Sequence, residues 1–232
     1  MNLKKSQSIY FIGIGGIGIS AIARMLKSQG KKVSGSDPAD NLNIHKLREE
    51  GIEVFNEVSS GNIPANTDLV VYTIAIKEDN SELLEAKKRG IKIVTYPQAL
   101  SELSAEKFTI AVCGTHGKTT TTAMIAHILK ENNFNPTVIV GSLLSDGGTN
   151  FVPSGTAPDG REYLVVEACE YRRSFLNINP SLIAITNIEA DHLDYYKDLD
   201  DIKTAFQSFT EKVSEDGFVV ANLKGKNLEW IK

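Results

Sequence analysis

A stretch of seven residues, Gly114 to Thr120 (GTHGKTT), carries the clearest chemistry in the sequence. It follows the apolar stretch FTIAVC and opens a segment with helical periodicity, so its backbone N–H groups can surround phosphate oxygens at the positive end of a helix. In this pattern Lys118 can reach the β- and γ-phosphates, and the Thr119 hydroxyl can bind Mg²⁺. Val112 stands where the usual GxxxxGK[ST] pattern has its first glycine. The loop predicts binding of ATP or GTP.

A second glycine-rich turn, Gly13 to Gly18 (GIGGIG), lies near the start of the chain between an apolar run and a helical segment. Its glycines allow a tight turn and the close approach of a phosphate to the backbone. About 20 residues further on, Asp37 ends the next predicted strand and can accept hydrogen bonds from ribose hydroxyls. The pattern is typical of a nucleotide or dinucleotide site without saying which nucleotide. Glycines that serve only close strand–helix packing are the alternative.

Acidic residues and one histidine follow two later apolar stretches. Glu167 and Glu170 end one predicted strand, and the segment after the next strand adds Glu189, Asp191 and His192. In a parallel sheet both ends meet at the edge that carries the phosphate loop, so these side chains can converge on the metal ions of a nucleotide. One glutamate with the loop threonine suffices for one Mg²⁺ and the histidine for a second. Solvated acidic turns and a helix cap are the alternative.

Strands and helices alternate along the chain, which is typical of βαβ units with parallel sheets. The predicted strands are 8–12, 32–34, 52–55, 68–74, 91–96, 108–112, 137–141, 163–167, 182–186 and 218–222, the last three of them buried. The predicted helices are 17–28, 44–50, 81–89 with Ser81 as N-cap, 119–132 and 202–213, and residues 142–160 form a long loop or hairpin. Because the strand–glycine turn–helix pattern restarts, we expect two domains, 1–105 and 106–232.

Composition and charge exclude several classes of protein. The chain has 25 Lys and Arg against 29 Asp and Glu, a net charge of −4, and no basic block, which argues against nucleic-acid binding. Residues 6–23 are uncharged and end in AIA like a signal peptide, but four glycines at their centre disfavour an apolar helix, so we expect no membrane insertion. Two cysteines without CxxC spacing favour a reducing compartment, and we expect the cytoplasm.

Six motifs, in this order and spacing, resemble the bacterial Mur ligases. They are GIGGIGISAIA, SGSD, VVYTIAI followed by Asn80 and Glu82, GTHGKTTT, EACEYRRSFL and TNIEADHLDYY. The resemblance covers essentially the whole chain. It implies an α/β protein with a Rossmann-like N-terminal domain that binds a UDP-sugar and a P-loop, ATPase-type central domain. We expect the central domain to be incomplete and the family's C-terminal domain, which closes over the ATP, to be absent, so that the chain alone is inactive.

The resemblance also implies an ATP-dependent amide ligation. ATP would phosphorylate the lactyl carboxylate of UDP-N-acetylmuramate, and the amine of L-alanine would attack the acyl phosphate and release phosphate. The short link SFLNINP favours L-alanine over the tripeptide that a related recycling ligase attaches to the same nucleotide sugar.

Carried over by motif, the resemblance assigns roles to single residues. Lys118 would stabilise the transferring γ-phosphoryl, Thr119 and Glu167 would hold one Mg²⁺, and His192 would hold the second. The ATP site would consist of Gly114, Thr115, His116, Gly117, Lys118, Thr119 and Thr120. The UDP-sugar site would consist of Gly13, Gly15, Gly16, Ile17, Gly18, Asp37, Thr73 and Ala75. Cys169 stands where the family usually has aspartate, so no acidic role is carried over to that position.

Two other functions stay open at this point. One is a non-catalytic module that holds a UDP-sugar. The other is a nicotinamide-dependent oxidoreductase with an accessory phosphate loop, although no residue set for hydride transfer is evident in the sequence. A homodimer also stays open, because the sequence does not give the oligomeric state.

Overall fold

The computed structural model of this protein describes residues 2–141, 150–152, 155–222 and 224–231. The chain forms two compact units. The first consists of residues up to Glu102 together with Asn150 and Phe151, and the second of residues from Leu103 to Gly141 and from Val152 onward. Each unit contains parallel strands with helices between them, which confirms the predicted α/β class.

Five parallel strands form the sheet of the first unit. They are β1 (Ser8–Ile12), β2 (Lys32–Ser36), β3 (Glu53–Phe55), β4 (Leu69–Tyr72) and β5 (Lys92–Thr95). The helices are α1 (Asn2–Lys5), α2 (Ile17–Ser28), α3 (Leu42–Glu49), α4 (Ser81–Lys88) and α5 (Tyr96–Ala105), with a 3₁₀ turn at Ser60–Asn62. The strand order is β3-β2-β1-β4-β5, and every residue of the apolar central strand β1 is buried. The order reverses beside β1, so the loop after it lies where parallel α/β sheets bind ligands.

The second sheet has six strands among the residues that the structure describes. They are β6 (Phe108–Cys113), β7 (Thr137–Ile139), β8 (Phe151–Val152), β9 (Tyr163–Glu167), β10 (Leu182–Ile185) and β11 (Phe218–Ala221). The helices are α6 (Lys118–Glu131) and α7 (Leu199–Thr210), with a 3₁₀ segment at Tyr171–Asn177. The order is β11-β10-β6-β9-β7-β8, and β6 runs parallel to both β9 and β10. Since Val112 pairs with Glu167 and Cys113 with Ile185, the carboxyl ends of these three strands lie at one edge.

The starts of helices α4 and α7 differ from the sequence prediction, α4 in its N-cap and α7 in its first residue. The N-cap of α4 is Asn80, not Ser81, because the Asn80 side chain accepts the N–H groups of Glu82 and Leu83 at 3.0 Å each. Helix α7 begins three residues before the predicted start, because Asp198 caps it by accepting the N–H of Asp201. In both cases a polar side chain that accepts a backbone N–H sets the first turn.

Three further features differ from the sequence prediction. The strand predicted to run to Tyr96 ends at Thr95 and passes directly into α5, because a proline at position 97 is tolerated in the first turn of a helix. The 3₁₀ segment Tyr171–Asn177 was not predicted. Strand β11 is not buried as predicted; it lies at the edge of the sheet with Phe218 and Val220 exposed.

The loop or hairpin predicted for residues 142–160 can be compared with the structure only in part. Residues 142–149 and 153–154 lie outside the described residues. Within the remainder, Phe151 and Val152 form the short strand β8. None of the helices that the structure describes is both long enough and apolar enough to cross a membrane.

Candidate active site

The phosphate loop, residues Gly114 to Thr120, joins strand β6 to helix α6. Gly114 has φ +132° and Gly117 has φ +79°, values at which glycine is strongly favoured. A Cβ at Gly114 would also collide with the Thr186 hydroxyl. Gly117 is the N-cap of α6, and among the described residues no side chain caps this helix, so its first N–H groups lack the usual side-chain acceptor there. Thr120 is exposed on the first turn.

The segment after strand β10 holds the loop in place. Asn187 accepts the N–H of Thr115 through its carbonyl oxygen at 3.0 Å and the N–H of His116 through its side-chain oxygen at 3.0 Å. Its side-chain amide donates back to the His116 carbonyl at 3.1 Å. The Thr115 hydroxyl accepts the N–H of Glu189 at 2.8 Å. The phosphate loop is therefore already shaped by protein contacts alone.

Lys118 begins helix α6, and its ammonium group bends back over the loop. Nζ donates to the carbonyl oxygens of Gly114 at 2.6 Å and Thr115 at 3.1 Å. It also donates to Oε1 of Glu170 at 3.1 Å. The Lys118 side chain is 13% exposed and that of Glu170 is 3% exposed. The lysine thus lies within the predicted loop, and a buried carboxylate is bonded to it.

Thr119 and Glu167, the two residues expected to share a metal ion, lie in direct contact. The Thr119 hydroxyl donates to Oε2 of Glu167 at 2.8 Å, and the N–H of Gly141 donates to the same oxygen at 3.0 Å. A Cβ at Gly141 would lie 2.8 Å from Oε1 of Glu167, so a glycine is needed for this approach. Hydroxyl and carboxylate oxygens are ligands that Mg²⁺ prefers, so this donor set fits such an ion.

His192 lies beside Glu170. Its Nε2 is 3.8 Å from Oε1 of Glu170 and 4.0 Å from Oδ2 of Asp191. Its φ of +53° is unusual for a residue with a side chain, and its ring packs against Tyr171 with 4.8 Å between centroids. Across the described part of the chain, no three His, Cys, Asp or Glu side chains cluster closely enough to hold a metal ion. A metal at this edge would therefore need oxygens from hydroxyls, water or phosphate as well.

The remaining candidates near the loop have other partners. Oε2 of Glu189 lies 3.8 Å from Nε2 of His116, and both side chains are exposed. Asp191 accepts the N–H of His192 at 2.7 Å. Cys113 is fully buried, and this burial raises the pKa of its thiol. The thiol therefore stays protonated at neutral pH and is a poor nucleophile.

The first glycine loop is fixed by strand β2 and by Thr73. The N–H groups of Gly13 and Ile14 donate to the Ser36 carbonyl at 2.8 and 3.0 Å. Gly13 has φ +79°, and a Cβ there would lie only 2.5 Å from Cγ2 of Thr73. Of the predicted UDP-sugar residues, Thr73 therefore lies directly against the loop. Ala75 lies in the exposed turn that follows β4.

Asp37 also contacts this loop. Its Oδ2 accepts the N–H of Gly15 at 2.9 Å, and its Oδ1 accepts the N–H of Ala39 at 2.9 Å. Each carboxylate oxygen can accept a second hydrogen bond, so both keep capacity for a ribose hydroxyl. The other predicted residues continue the loop into the helix: Gly16 is exposed, Ile17 begins α2, and Gly18 leaves room for the hydroxyl of Tyr96.

The carboxylate of Glu82 is fully buried next to the strand on which this loop rests, and the sequence indicates it only as part of the motif after VVYTIAI. It accepts hydrogen bonds from the Tyr10 hydroxyl at 2.8 Å, the Ser36 hydroxyl at 2.5 Å and the Asn62 amide at 2.9 Å. Ser36 is the residue whose carbonyl accepts the first N–H groups of the loop. Glu82 thus fixes the end of β2 on which the loop rests.

Sequence reasoning gave no role to Asn187 or Tyr171. Asn187 is bonded to the phosphate loop, and Tyr171 packs on His192 and donates from its hydroxyl to Asp194 at 2.9 Å. Both flank predicted acidic residues in the motifs TNIEADHLDYY and EACEYRRSFL. That adjacency is the one signal by which the sequence could have singled them out.

Two family profiles match this chain. The profile described as "Mur ligase family, catalytic domain" matches residues 8–108, and the one described as "Mur ligase middle domain" matches residues 112–232. The second match alone spans more than half of the chain. The chain belongs to the Mur ligase family. The resemblance stated from its motifs is therefore confirmed.

Curated Mur ligases provide similar sequences. A UDP-N-acetylmuramate–L-alanine ligase from Caldicellulosiruptor bescii is 48% identical over 221 residues, which are 95% of this chain and 47% of that protein. A ligase of the same name from Clostridium acetobutylicum is 42% identical over 96% of this chain and 48% of its own length. The chain thus spans about half the length of the curated relatives it matches.

Solved Mur ligase structures have the same fold. The UDP-N-acetylmuramate–alanine ligase from Thermotoga maritima is 34% identical with a TM-score of 0.81, covering 95% of this chain and 50% of that one. The UDP-N-acetylmuramate:L-alanyl-γ-D-glutamyl-meso-diaminopimelate ligase from Neisseria meningitides is 27% identical with a TM-score of 0.84, covering 96% and 73%. The architecture described above is therefore that of Mur ligases.

Proposed function

We propose that this chain forms the UDP-sugar-binding and ATP-binding parts of a ligase that joins L-alanine to the lactyl carboxylate of UDP-N-acetylmuramate. The observation that carries the proposal is the phosphate loop of α6, in which Lys118 is followed directly by the Thr119–Glu167 contact. Membership of the Mur ligase family supports the reaction type. Because the chain spans about half the length of its relatives, the complete reaction is itself part of the proposal.

ATP binds at the phosphate loop in this proposal. The backbone N–H groups of Gly114 to Thr120 surround its phosphates, and Lys118 offsets the charge that develops on the γ-phosphoryl group during transfer. Thr119 and Glu167 would hold one Mg²⁺, and His192 would hold a second. Mg²⁺ bound there would neutralise the phosphate oxygens. The Thr119–Glu167 contact at 2.8 Å supports the first metal assignment.

The UDP-sugar binds at the first glycine loop, with its diphosphate against Gly13, Gly15, Gly16, Ile17 and Gly18. Asp37 accepts hydrogen bonds from the ribose, and Thr73 and Ala75 line the site. We accordingly assign residues 1–105 to a UDP-sugar-binding domain and residues 106–232 to an ATP-binding domain. The position of the loop beside the reversal of strand order supports this assignment.

The chemistry proceeds in two steps. A carboxylate oxygen of the lactyl group takes the γ-phosphoryl group of ATP, which gives an acyl phosphate and ADP. The amine nitrogen of L-alanine then attacks the carbonyl carbon and loses a proton, and phosphate leaves as the amide forms. The cytoplasm is the proposed setting of this synthesis.

L-alanine is favoured over a tripeptide by the comparisons. Among solved structures, the alanine ligase from Thermotoga maritima is 34% identical to this chain, whereas the Neisseria ligase, whose name specifies the tripeptide, is 27% identical. The short SFLNINP link agrees with this choice.

Calorimetric titration of the purified chain with three ligands tests the proposal. We expect UDP-N-acetylmuramate and Mg-ATP each to bind one site, and NADH to give no binding heat. Binding of NADH without the UDP-sugar would contradict the proposal and favour an oxidoreductase. Binding of the UDP-sugar without ATP would instead favour a non-catalytic binding module.

A further inference from the structure

The carboxylate of Glu170 is a buried charged group beside the phosphate loop. Its side chain is 3% exposed. Its Oε1 accepts from Nζ of Lys118 at 3.1 Å and lies 3.8 Å from Nε2 of His192. Its Oε2 is buried and has no hydrogen-bond partner among the residues that the structure describes. Since a buried carboxylate is costly unless it is paired, Glu170 depends chiefly on Lys118.

The ammonium group of Lys118 is fully used in this arrangement. It has three N–H donors, and the structure gives it three acceptors: the carbonyls of Gly114 and Thr115 and the carboxylate of Glu170. To bind a phosphate oxygen, the lysine must release at least one of them. The two carbonyls belong to a loop that Asn187 holds in place. A phosphate can take the place of the carboxylate as the acceptor of Lys118, because both groups carry negative charge.

We propose that Glu170 is a positioning residue that holds Lys118 when no nucleotide is bound and competes with the phosphates of ATP for it. The inference rests on the proposed ATP site and says which residue limits the affinity of that site for ATP. When Lys118 turns to a phosphate, Glu170 stays buried and loses its hydrogen-bonded cation, because Nε2 of His192 lies 3.8 Å away, beyond hydrogen-bond distance. The cost of leaving Glu170 in that state lowers the affinity for ATP.

Glu170→Gln tests the inference, because the amide keeps the shape of the side chain and removes its charge. The dissociation constant for Mg-ATP, measured by calorimetry on the whole chain, should fall about tenfold, the effect of releasing one charged hydrogen bond. Glu131→Gln, at the exposed far end of α6, removes the same charge away from Lys118 and should change affinity less than about twofold. A gain in affinity is not what a merely damaged structure would produce.

The inference requires that the gain in ATP affinity depend on Lys118. In a chain that already carries Lys118→Met, Glu170→Gln should therefore bring no further increase in ATP affinity. An equal gain in that background would overturn the inference, because it would mean that Glu170 simply repels the nucleotide.

Two further comparisons separate the outcomes. Glu170→Asp keeps the charge on a shorter side chain and should give a smaller gain in the same direction, which serves as the test if Glu170→Gln does not fold. Unchanged or weaker ATP binding by a folded Glu170 variant would overturn the inference and leave the ATP site standing. Failure of the wild-type chain and all variants to bind ATP would contradict the ATP site and the inference together.

Discussion

At the scale of single residues, Lys118 is the residue whose charge the proposed ATP site depends on most. Lys118→Ala removes the charge that meets the phosphates, so Mg-ATP affinity should fall about 10- to 100-fold, the range of a charged hydrogen bond. Affinity for UDP-N-acetylmuramate should stay unchanged. Calorimetry with each ligand measures both effects.

Lys130→Ala is the matched control for this substitution, because Lys130 is exposed in the last turn of the same helix. It should leave both affinities unchanged. If Lys118→Ala weakened the binding of both ligands equally, the assignment of two separate sites would be wrong.

The residues of the loop and the approach of Glu167 could be predicted from the sequence, whereas the partners of Lys118 and of the loop backbone could not. Lys118 and Thr119 belong to a spaced motif, and the approach of Glu167 followed from the expectation that neighbouring strands run parallel. Glu170 and Asn187 lie 52 and 71 positions from the loop residues they contact. The sequence predicts Glu170 as one of several acidic residues at this edge and assigns no role to Asn187, so only the folded chain shows which loop atoms the two contact.

At the scale of secondary-structure elements, two substitutions test which residue caps helix α4. Asn80→Ala removes the acceptor of two N–H groups and should lower the free energy of unfolding by about 1 kcal/mol. Ser81→Ala, at the residue predicted from sequence, should change it by less than about 0.5 kcal/mol. Urea unfolding of both variants decides between them, and a larger loss for Ser81→Ala would restore the sequence prediction.

The first glycine loop provides a second test at this scale. Gly13 and Gly30 have almost the same φ, +79° and +80°, but a Cβ at Gly13 would meet Thr73 at 2.5 Å, whereas nothing lies within 4 Å at Gly30. Gly30→Ala should therefore cost about 1 kcal/mol of unfolding free energy through backbone strain alone and keep UDP-sugar binding.

Gly13→Ala adds the clash to the same strain, so it should cost about 1–3 kcal/mol more. It should also weaken UDP-N-acetylmuramate binding, measured by calorimetry, without affecting Mg-ATP. Equal effects of the two substitutions would show that Thr73 does not constrain the loop.

Apolar strands were the most predictable elements, since short runs such as FTIAVC and YLVVE are buried on both faces. The sequence does not predict helix α5, because Pro97 suits the end of a strand as well as the first turn of a helix. The 3₁₀ segment Tyr171–Asn177 was missed because Arg172 and Arg173 have positive φ, which no sequence pattern indicates.

At the scale of the whole molecule, the motifs and their order predicted two successive α/β parts, and the two sheets agree with this. The grouping of Asn150 with the first unit could not be predicted. Its side chain donates to the Ser20 hydroxyl at 2.9 Å and accepts from Arg24 at 2.6 Å, across more than 100 residues of chain. Such contacts depend on tertiary structure, and neither periodicity nor spacing encodes them.

The proposed function requires that this chain hold a UDP-sugar and ATP at two distinct sites. Titration of UDP-N-acetylmuramate into the chain saturated with a magnesium-bound, non-hydrolysable ATP analogue tests it most directly. We predict that one equivalent of the UDP-sugar still binds, because the two glycine loops are separate. Loss of UDP-sugar binding in competition with the ATP analogue would contradict the account, since it would mean that both nucleotides share a single site.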